Sequence, residues 1–188
     1  MKSFYELTNR GRALRLRRMA LAALERYDLE VERVRLVTND LNGIFRVDAA
    51  GGAKFILRVS LPDTGGHTLE EIRSEAMWLA ALRQDTALGV PRPLAARDGA
   101  YLSTVEVEGV PEPRHCAVFS WVPGPDLADR LTLENVGKQG ELLAELHCHA
   151  ETFVPPDGFW LRRKDKVFSS LQPPAPSARC HGTSAGSL

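Results

Sequence analysis

The chain has 188 residues, 44% hydrophobic and 26% charged, the composition of a folded domain able to bury a real core. Its 24 Lys and Arg balance 24 Asp and Glu, so no overall field draws it to nucleic acid or to an anionic membrane. Three cysteines, far apart and odd in number, do not make a disulfide framework and suit a reducing compartment.

In chain order, Arg10, Arg12, Arg15, Arg17 and Arg18 precede the apolar run Met19-Ala-Leu-Ala-Ala-Leu24, which Glu25 and Arg26 end too early for a signal-peptide core. No other stretch approaches the roughly 18 apolar residues of a membrane-spanning helix, so a cytoplasmic protein with no membrane partner is expected. Residues near 11 to 26 read as a helix, with Leu14, Leu21 and Leu24 at helical spacing and the arginines as its solvated face. Val31 to Val37 alternates as a half-buried strand does. Thr38 to Gly43 reads as a turn, Ile44 to Val47 as a second strand, Ala50-Gly51-Gly52 as a turn, and Lys54 to Val59 as a third strand.

Leu61 to Gly66 is a loop, and Thr68 with Glu71 forms the T-x-x-E capping box of a helix running to about Gln84. Ile72, Ala76, Leu79 and Leu82 supply its buried stripe, and at 100° per residue Glu75 falls between Leu79 and Leu82. A carboxylate in that stripe needs a cation, and Arg58 on the third strand is the nearest candidate. Val90-Pro-Arg-Pro93 breaks the pattern, and Gly99 to Leu102 and Ala117 to Val122 read as further strands. The expected fold is α+β, an antiparallel sheet of about five strands with one inserted helix. Pro123-Gly124-Pro125 is the best internal boundary. A helix from Leu133 to Phe153 follows, with Val136, Leu142, Leu143, Leu146 and Ala150 as its apolar positions, and the Ser, Ala and Pro-rich stretch from Ser169 to Leu188 reads as disordered.

Several residues carry chemistry, each with a plainer alternative beside it. Arg58 shares a strand face with Ile56, opposite Phe55, Leu57 and Val59; held by Glu75 it can reach phosphates, or the two form only a structural pair between sheet and helix. Asn42 and Gly43 permit unusual φ values from which backbone N–H groups could cradle phosphate, or they close a plain hairpin. Ser120, Trp121 and Val122 end a strand at the boundary, where a flat ligand can lie against them, or they form an ordinary linker with a core Trp. His147 fits a structural residue at a helix edge better than a catalytic base, because no nucleophile or orienting acid accompanies it. The neighbours His115-Cys116, His147-Cys148-His149 and Cys180-His181 lack zinc-ligand spacing and fit small buried thiols.

The segments Asn42-Gly-Ile-Phe-Arg-Val47, Phe55-Ile-Leu-Arg-Val59, Glu75-Ala-Met-Trp-Leu-Ala-Ala-Leu82, Val90-Pro-Arg-Pro93, Phe119-Ser-Trp-Val-Pro-Gly124, Gly140-Glu-Leu-Leu-Ala-Glu-Leu-His147 and Pro155-Pro-Asp-Gly-Phe159, in this order, resemble the aminoglycoside phosphotransferase family over roughly residues 30 to 160. The resemblance implies a protein-kinase-like N-terminal lobe over 1–122, a hinge and the start of a helical C-terminal lobe over 123–165, and a tail outside the family pattern over 166–188. It implies transfer of the ATP γ-phosphate to a small-molecule hydroxyl with Mg²⁺. Arg58 would contact phosphates, Glu75 would hold Arg58, Ser120 to Val122 would meet adenine, and Asn42 and Gly43 would lie at the nucleotide. Arg stands where many kinases carry Lys.

The family's catalytic loop begins His-Gly-Asp, with an Asn a few residues on and a further Asp for the metal. This chain has no Asn after Asn135, and its only acids after Glu151 are Asp157 and Asp165, so no catalytic or metal residue is assigned. His181-Gly182 is followed by Thr183. The expectation is a truncated phosphotransferase, inactive alone, or a noncatalytic nucleotide-binding or interaction module. A third reading is a poorly stable fragment, whose helix from Leu133 to Phe153 lacks the lobe it packs against and leaves an apolar patch prone to self-association.

Overall fold

The computed structural model describes residues 4–39, 42–60 and 68–160. The expected loop at Leu61 to Gly66 and the tail over 166–188 lie outside the described residues. A short 3₁₀ turn at Phe4–Glu6 leads into α1, Asn9–Leu24. Then come β1 at Val31–Thr38, β2 at Asn42–Ala49 and β3 at Lys54–Ser60. α2 spans Leu69–Asp85, followed by β4 at Pro93–Leu94, β5 at Ser103–Val105 and β6 at Arg114–Ser120. α3, Leu133–Thr152, is the last regular element among the described residues.

All strand pairings are antiparallel, in the order β1-β2-β3-β6, with β4 and β5 sharing the far side of β6. Among the described residues the sheet has six strands, the addition to the expected five being β4. Pro91 and Pro93 read as breakers, yet a proline is tolerated at the start of an edge strand, where its missing N–H faces no partner. The strand expected at Gly99 to Leu102 lies just beyond, at β5. Gly99 adopts φ +84° in a turn closed by hydrogen bonds from its N–H to Ala96 O at 2.9 Å and from Ala96 N–H to Ala100 O at 2.8 Å.

Strand alternation gives the sheet two different faces. Phe45, Val47, Leu57, Val59, Cys116 and Val118 are buried on one face, where α1 adds Leu16, Met19, Ala20, Ala23 and Leu24. This stripe is rotated from the one expected, for Leu14 is 60% exposed and the small Ala20 and Ala23 positions let the helix approach the sheet. Large buried side chains of this kind each contribute about 1.5–3 kcal/mol. The other face carries Ile44, Arg46, Ile56 and Arg58, and it builds the site.

α2 starts where its capping box places it: Thr68 Oγ1 accepts from Glu71 N–H at 3.3 Å, and Glu71 Oε2 accepts from Thr68 N–H at 2.7 Å. Ile72, Ala76 and Leu82 are buried along it, as is Ser74.

The described residues fall into two compact units, 4–125 together with 155–160, and 126–154. In the second, Thr132 caps α3 through Asn135 N–H at 3.2 Å, and Lys138 pairs with Glu134 one turn earlier at 2.6 Å. Leu133, Val136, Leu142 and Leu143 are exposed on this helix. His147, expected to pack at the helix edge, is exposed. Among the described residues the buried histidine is His149, whose ring stacks on Phe153 with centroids 5.6 Å apart. Among the described residues no helix is long and apolar enough to cross a membrane.

Candidate nucleotide site

Period-two alternation along β3 sends Leu57 and Val59 into the core and Arg58 to the opposite face. There its guanidinium meets Glu75 of α2 side by side, Nη1 to Oε1 at 3.0 Å and Nη2 to Oε2 at 2.6 Å. This two-pronged geometry fixes the plane of the guanidinium as well as its position. Arg58 also lies over the Phe119 ring, 5.1 Å from its centroid, a cation–π contact that supports the charge from below. The Arg58 side chain is 17% exposed and that of Glu75 41%. Glu75 is therefore not buried in the stripe as expected; it stands at the edge of the stripe, facing a cavity.

That cavity, about 320 Å³, is lined by Ile44, Ile56, Arg58, Glu75, Leu79, Pro91 and the run Phe119-Ser120-Trp121-Val122. Its walls are mostly apolar, with the ion pair as the charged feature at one side, the usual composition of a site for a flat organic ligand with a polar end. A second cation stands near. Arg46 lies 5.1 Å from the centroid of the Trp121 ring and is tethered by Asp48 at 2.8 Å, which Arg35 also contacts at 2.9 Å. The hydrogen bond from Arg46, with the charges of Arg46 and Arg35, holds the Asp48 carboxyl below the usual carboxylate range.

The residues expected at the ligand edge differ in what they can offer. Ser120 N–H donates to Arg92 O at 2.8 Å and Ser120 Oγ accepts from Arg92 N–H at 2.9 Å, while Trp121 N–H donates to Lys54 O at 3.1 Å. Pro123 has no N–H. Among the described residues the Val122 N–H has no acceptor, so of the three backbone amides at Ser120, Trp121 and Val122 it is the one left open.

The structure thus brings Arg58, Glu75, Ser120, Trp121 and Val122 to one cavity. Asn42 and Gly43 are not in its lining. Both belong to β2, paired opposite Ser60 and Val59, and Gly43 has no positive φ. The expectation of an unusual backbone there is corrected. Gly43 is buried on the α1 face, where an added Cβ would meet Leu16 Cδ1 and Phe45 Cε2 at 3.4 Å. Asn42 shares the face of Ile44 and Arg46. Ile44, Ile56, Pro91 and Phe119 were not foreseen as lining, although the alternation of β3 already grouped Ile56 with Arg58; Leu79, expected in the buried stripe of α2, is half-buried at the cavity instead.

Away from the cavity, Cys116 is a free, buried thiol whose pKa burial pushes up to about 12. His115 on the other face of β6 places Nδ1 3.1 Å from Thr104 Oγ1, and burial lowers its pKa. Among the described residues no three His, Cys, Asp or Glu side chains come together as a metal site.

The model of the phosphotransferase enzyme family matches residues 33–171, well over half of the chain. The chain belongs to this family. An uncharacterized protein of Synechocystis sp. is 31% identical over 130 residues, which cover 69% of this chain and 34% of that protein. The structure of a microcompartment-associated aminopropanol kinase is 36% identical with a TM-score of 0.64, over 79% of this chain and 45% of that one. An amicoumacin kinase in complex with AMP-PNP and Ca²⁺ is 20% identical with a TM-score of 0.48, over 60% of this chain and 34% of that one. This phosphotransferase family member therefore spans about a third of its curated relative and just under half of the aminopropanol kinase. Its α+β fold is that of the N-terminal lobe of kinase-like proteins.

Proposed function

We propose that the described residues form the nucleotide-binding lobe of an ATP-dependent kinase of small-molecule hydroxyls. The observation that carries this reading is the two-pronged Arg58–Glu75 pair at the wall of an apolar cavity. ATP would lay its base along Phe119 to Val122, with the Val122 N–H meeting a ring acceptor, and direct its phosphates toward Arg58. Glu75 would fix the guanidinium so that its charge falls where the phosphates lie, and Phe119 would support it from beneath. Arg46 over Trp121 adds positive charge to the same face.

The residues do not fit the divalent metal that such a reaction uses. Among the described residues no set of three metal-ligating side chains converges, and no acid of the cavity other than Glu75, already committed to Arg58, is in place. No step is therefore routed through a metal here. The chain also offers no Asn beyond Asn135 and no His-Gly-Asp run, so the residues that would orient the acceptor hydroxyl are not among its own. The 188-residue chain accordingly binds nucleotide without transferring phosphate by itself.

Calorimetric titration with ATP, with and without Mg²⁺, tests this directly. Saturable one-site binding that Arg58→Ala weakens at least tenfold is expected; at about 100 times the Kd, ATP should stabilise the fold by about 2.7 kcal/mol. No binding at millimolar ATP, or binding indifferent to Arg58, would overturn the reading. Measurable ATP-dependent phosphorylation of a hydroxyl substrate by the isolated chain would overturn the claim that it does not transfer phosphate.

A further inference from the structure

Two adjacent side chains tie α2 to distant parts of its own unit. Glu75 reaches Arg58 on β3; Ser74 reaches the segment 155–160, which packs with residues 4–125. Ser74 is 4% exposed, and its hydroxyl is used twice: it donates to Glu70 O at 2.7 Å and accepts from the Trp160 N–H, 86 positions later, at 2.7 Å. The chain before Trp160 is shaped for this contact. Gly158 takes φ +80°, which a side chain would strain, and Phe159 N–H closes the turn onto Pro156 O at 3.1 Å, leaving the next amide to meet α2.

Locally, Ser74 is a poor choice for the middle of a helix. Its hydroxyl bonds back to the carbonyl one turn earlier, an arrangement that weakens and bends helices, and Ala would suit the helix better. The compensating gain is the bond to Trp160, made from a buried position where that amide would otherwise lack this partner. We infer that Ser74 is a positioning residue: the Trp160 amide latches α2 in the place and rotation at which the neighbouring Glu75 carboxylate meets the Arg58 guanidinium squarely.

Shared residues make the coupling short. Ser74 and Glu75 are successive on one rigid helix, so a shift of α2 at Ser74 is a shift at Glu75, and a 2.6 Å contact between Oε2 and Nη2 tolerates little of it. The inference rests on the nucleotide reading of the cavity for its functional consequence, while the latch itself is observable without any nucleotide.

The test uses the full chain with three variants. Ser74→Ala removes the acceptor, Trp160→Pro removes the donor N–H, and Trp160→Ala removes the indole while keeping the N–H. Hydrogen exchange across α2 without nucleotide should quicken at least fivefold in Ser74→Ala and Trp160→Pro and stay near wild type in Trp160→Ala. Titration with ATP should show affinity reduced at least threefold in the first two. In a Glu75→Ala background, Ser74→Ala should then cost no further affinity, because its effect passes through Glu75. Unchanged α2 exchange in Ser74→Ala overturns the latch, and full additivity with Glu75→Ala overturns its action through the pair. A wild-type chain that does not bind ATP overturns the nucleotide reading instead, leaving the exchange result to decide the latch.

Discussion

Removing the Glu75 carboxylate is the sharpest single perturbation of the site. Arg58 is 17% exposed and would keep its charge with only the Phe119 ring, 5.1 Å away, to replace the lost partner. Stranding a fully buried charge costs about 3–5 kcal/mol, whereas an exposed pair contributes about 0–1 kcal/mol. Arg58 lies near the first case, but Glu75 at 41% exposure lies near the second, so water can reach the vacated space. The expected loss for Glu75→Ala is therefore about 1–2 kcal/mol of stability, read as a lower urea midpoint at unchanged slope. Glu75→Gln, which keeps an acceptor but no charge, should lose less. ATP affinity should fall about tenfold in Glu75→Ala, equivalent to about 1.4 kcal/mol, because Arg58 is no longer held in one plane. A double-mutant cycle with Arg58→Met isolates the pair, and a coupling below about 0.5 kcal/mol would refute the reasoning, since residues in contact should couple by more than that.

Phe45→Ala empties a fully buried position under α1 and should cost about 3–5 kcal/mol in denaturant unfolding; a loss under 1 kcal/mol would mean the α1 face is not the core. Thr68→Ala removes the cap of α2 and should cost about 1 kcal/mol, with Thr68→Ser restoring most of it. Cys116, with its thiol pushed up to about 12, should resist alkylation at pH 8 in the native state and react on addition of denaturant, as peptide mass spectrometry will show. Rapid native-state labelling of Cys116 would contradict its burial. For His115, burial lowers the folded pKa below the unfolded value near 6.5, so the unfolded chain takes up the proton first and stability falls as pH drops through that value. The urea midpoint of wild type should decline more between pH 7 and pH 5 than that of His115→Gln, and an equal decline would remove His115 from the account.

Much of this lobe is legible in the sequence because its signals are local. The capping box at Thr68 and Glu71 sets the phase of α2, and the alternation of β3 sets the face of Arg58; together they nearly force the pair. What stayed hidden depends on partners far along the chain. The N–H groups of Ser120 and Trp121 are spent on Arg92 and Lys54, and no pattern within Phe119 to Gly124 announces that, of Ser120, Trp121 and Val122, it is Val122 whose N–H meets no acceptor among the described residues. The buried stripe of α1 was misplaced for a different reason: alanines at 20 and 23 weigh little in a hydrophobic pattern, yet they are what allow close packing on the sheet. Gly43 misled in the opposite sense. Its freedom of φ suggested a phosphate-cradling turn, whereas its lack of a side chain is what matters, beside Leu16 and Phe45.

α1 has a practical consequence for how this lobe may be cut and compared. The family match begins at residue 33, but Leu16, Met19, Ala20, Ala23 and Leu24 all lie before it and close one whole face of the sheet. The stretch that the family model matches thus leaves out a helix that the folded sheet relies on. An expression clone trimmed to the shared segment would bare Phe45, Leu57, Val59 and Val118 to water, and any failure it showed would report on the trimming rather than on the nucleotide cavity.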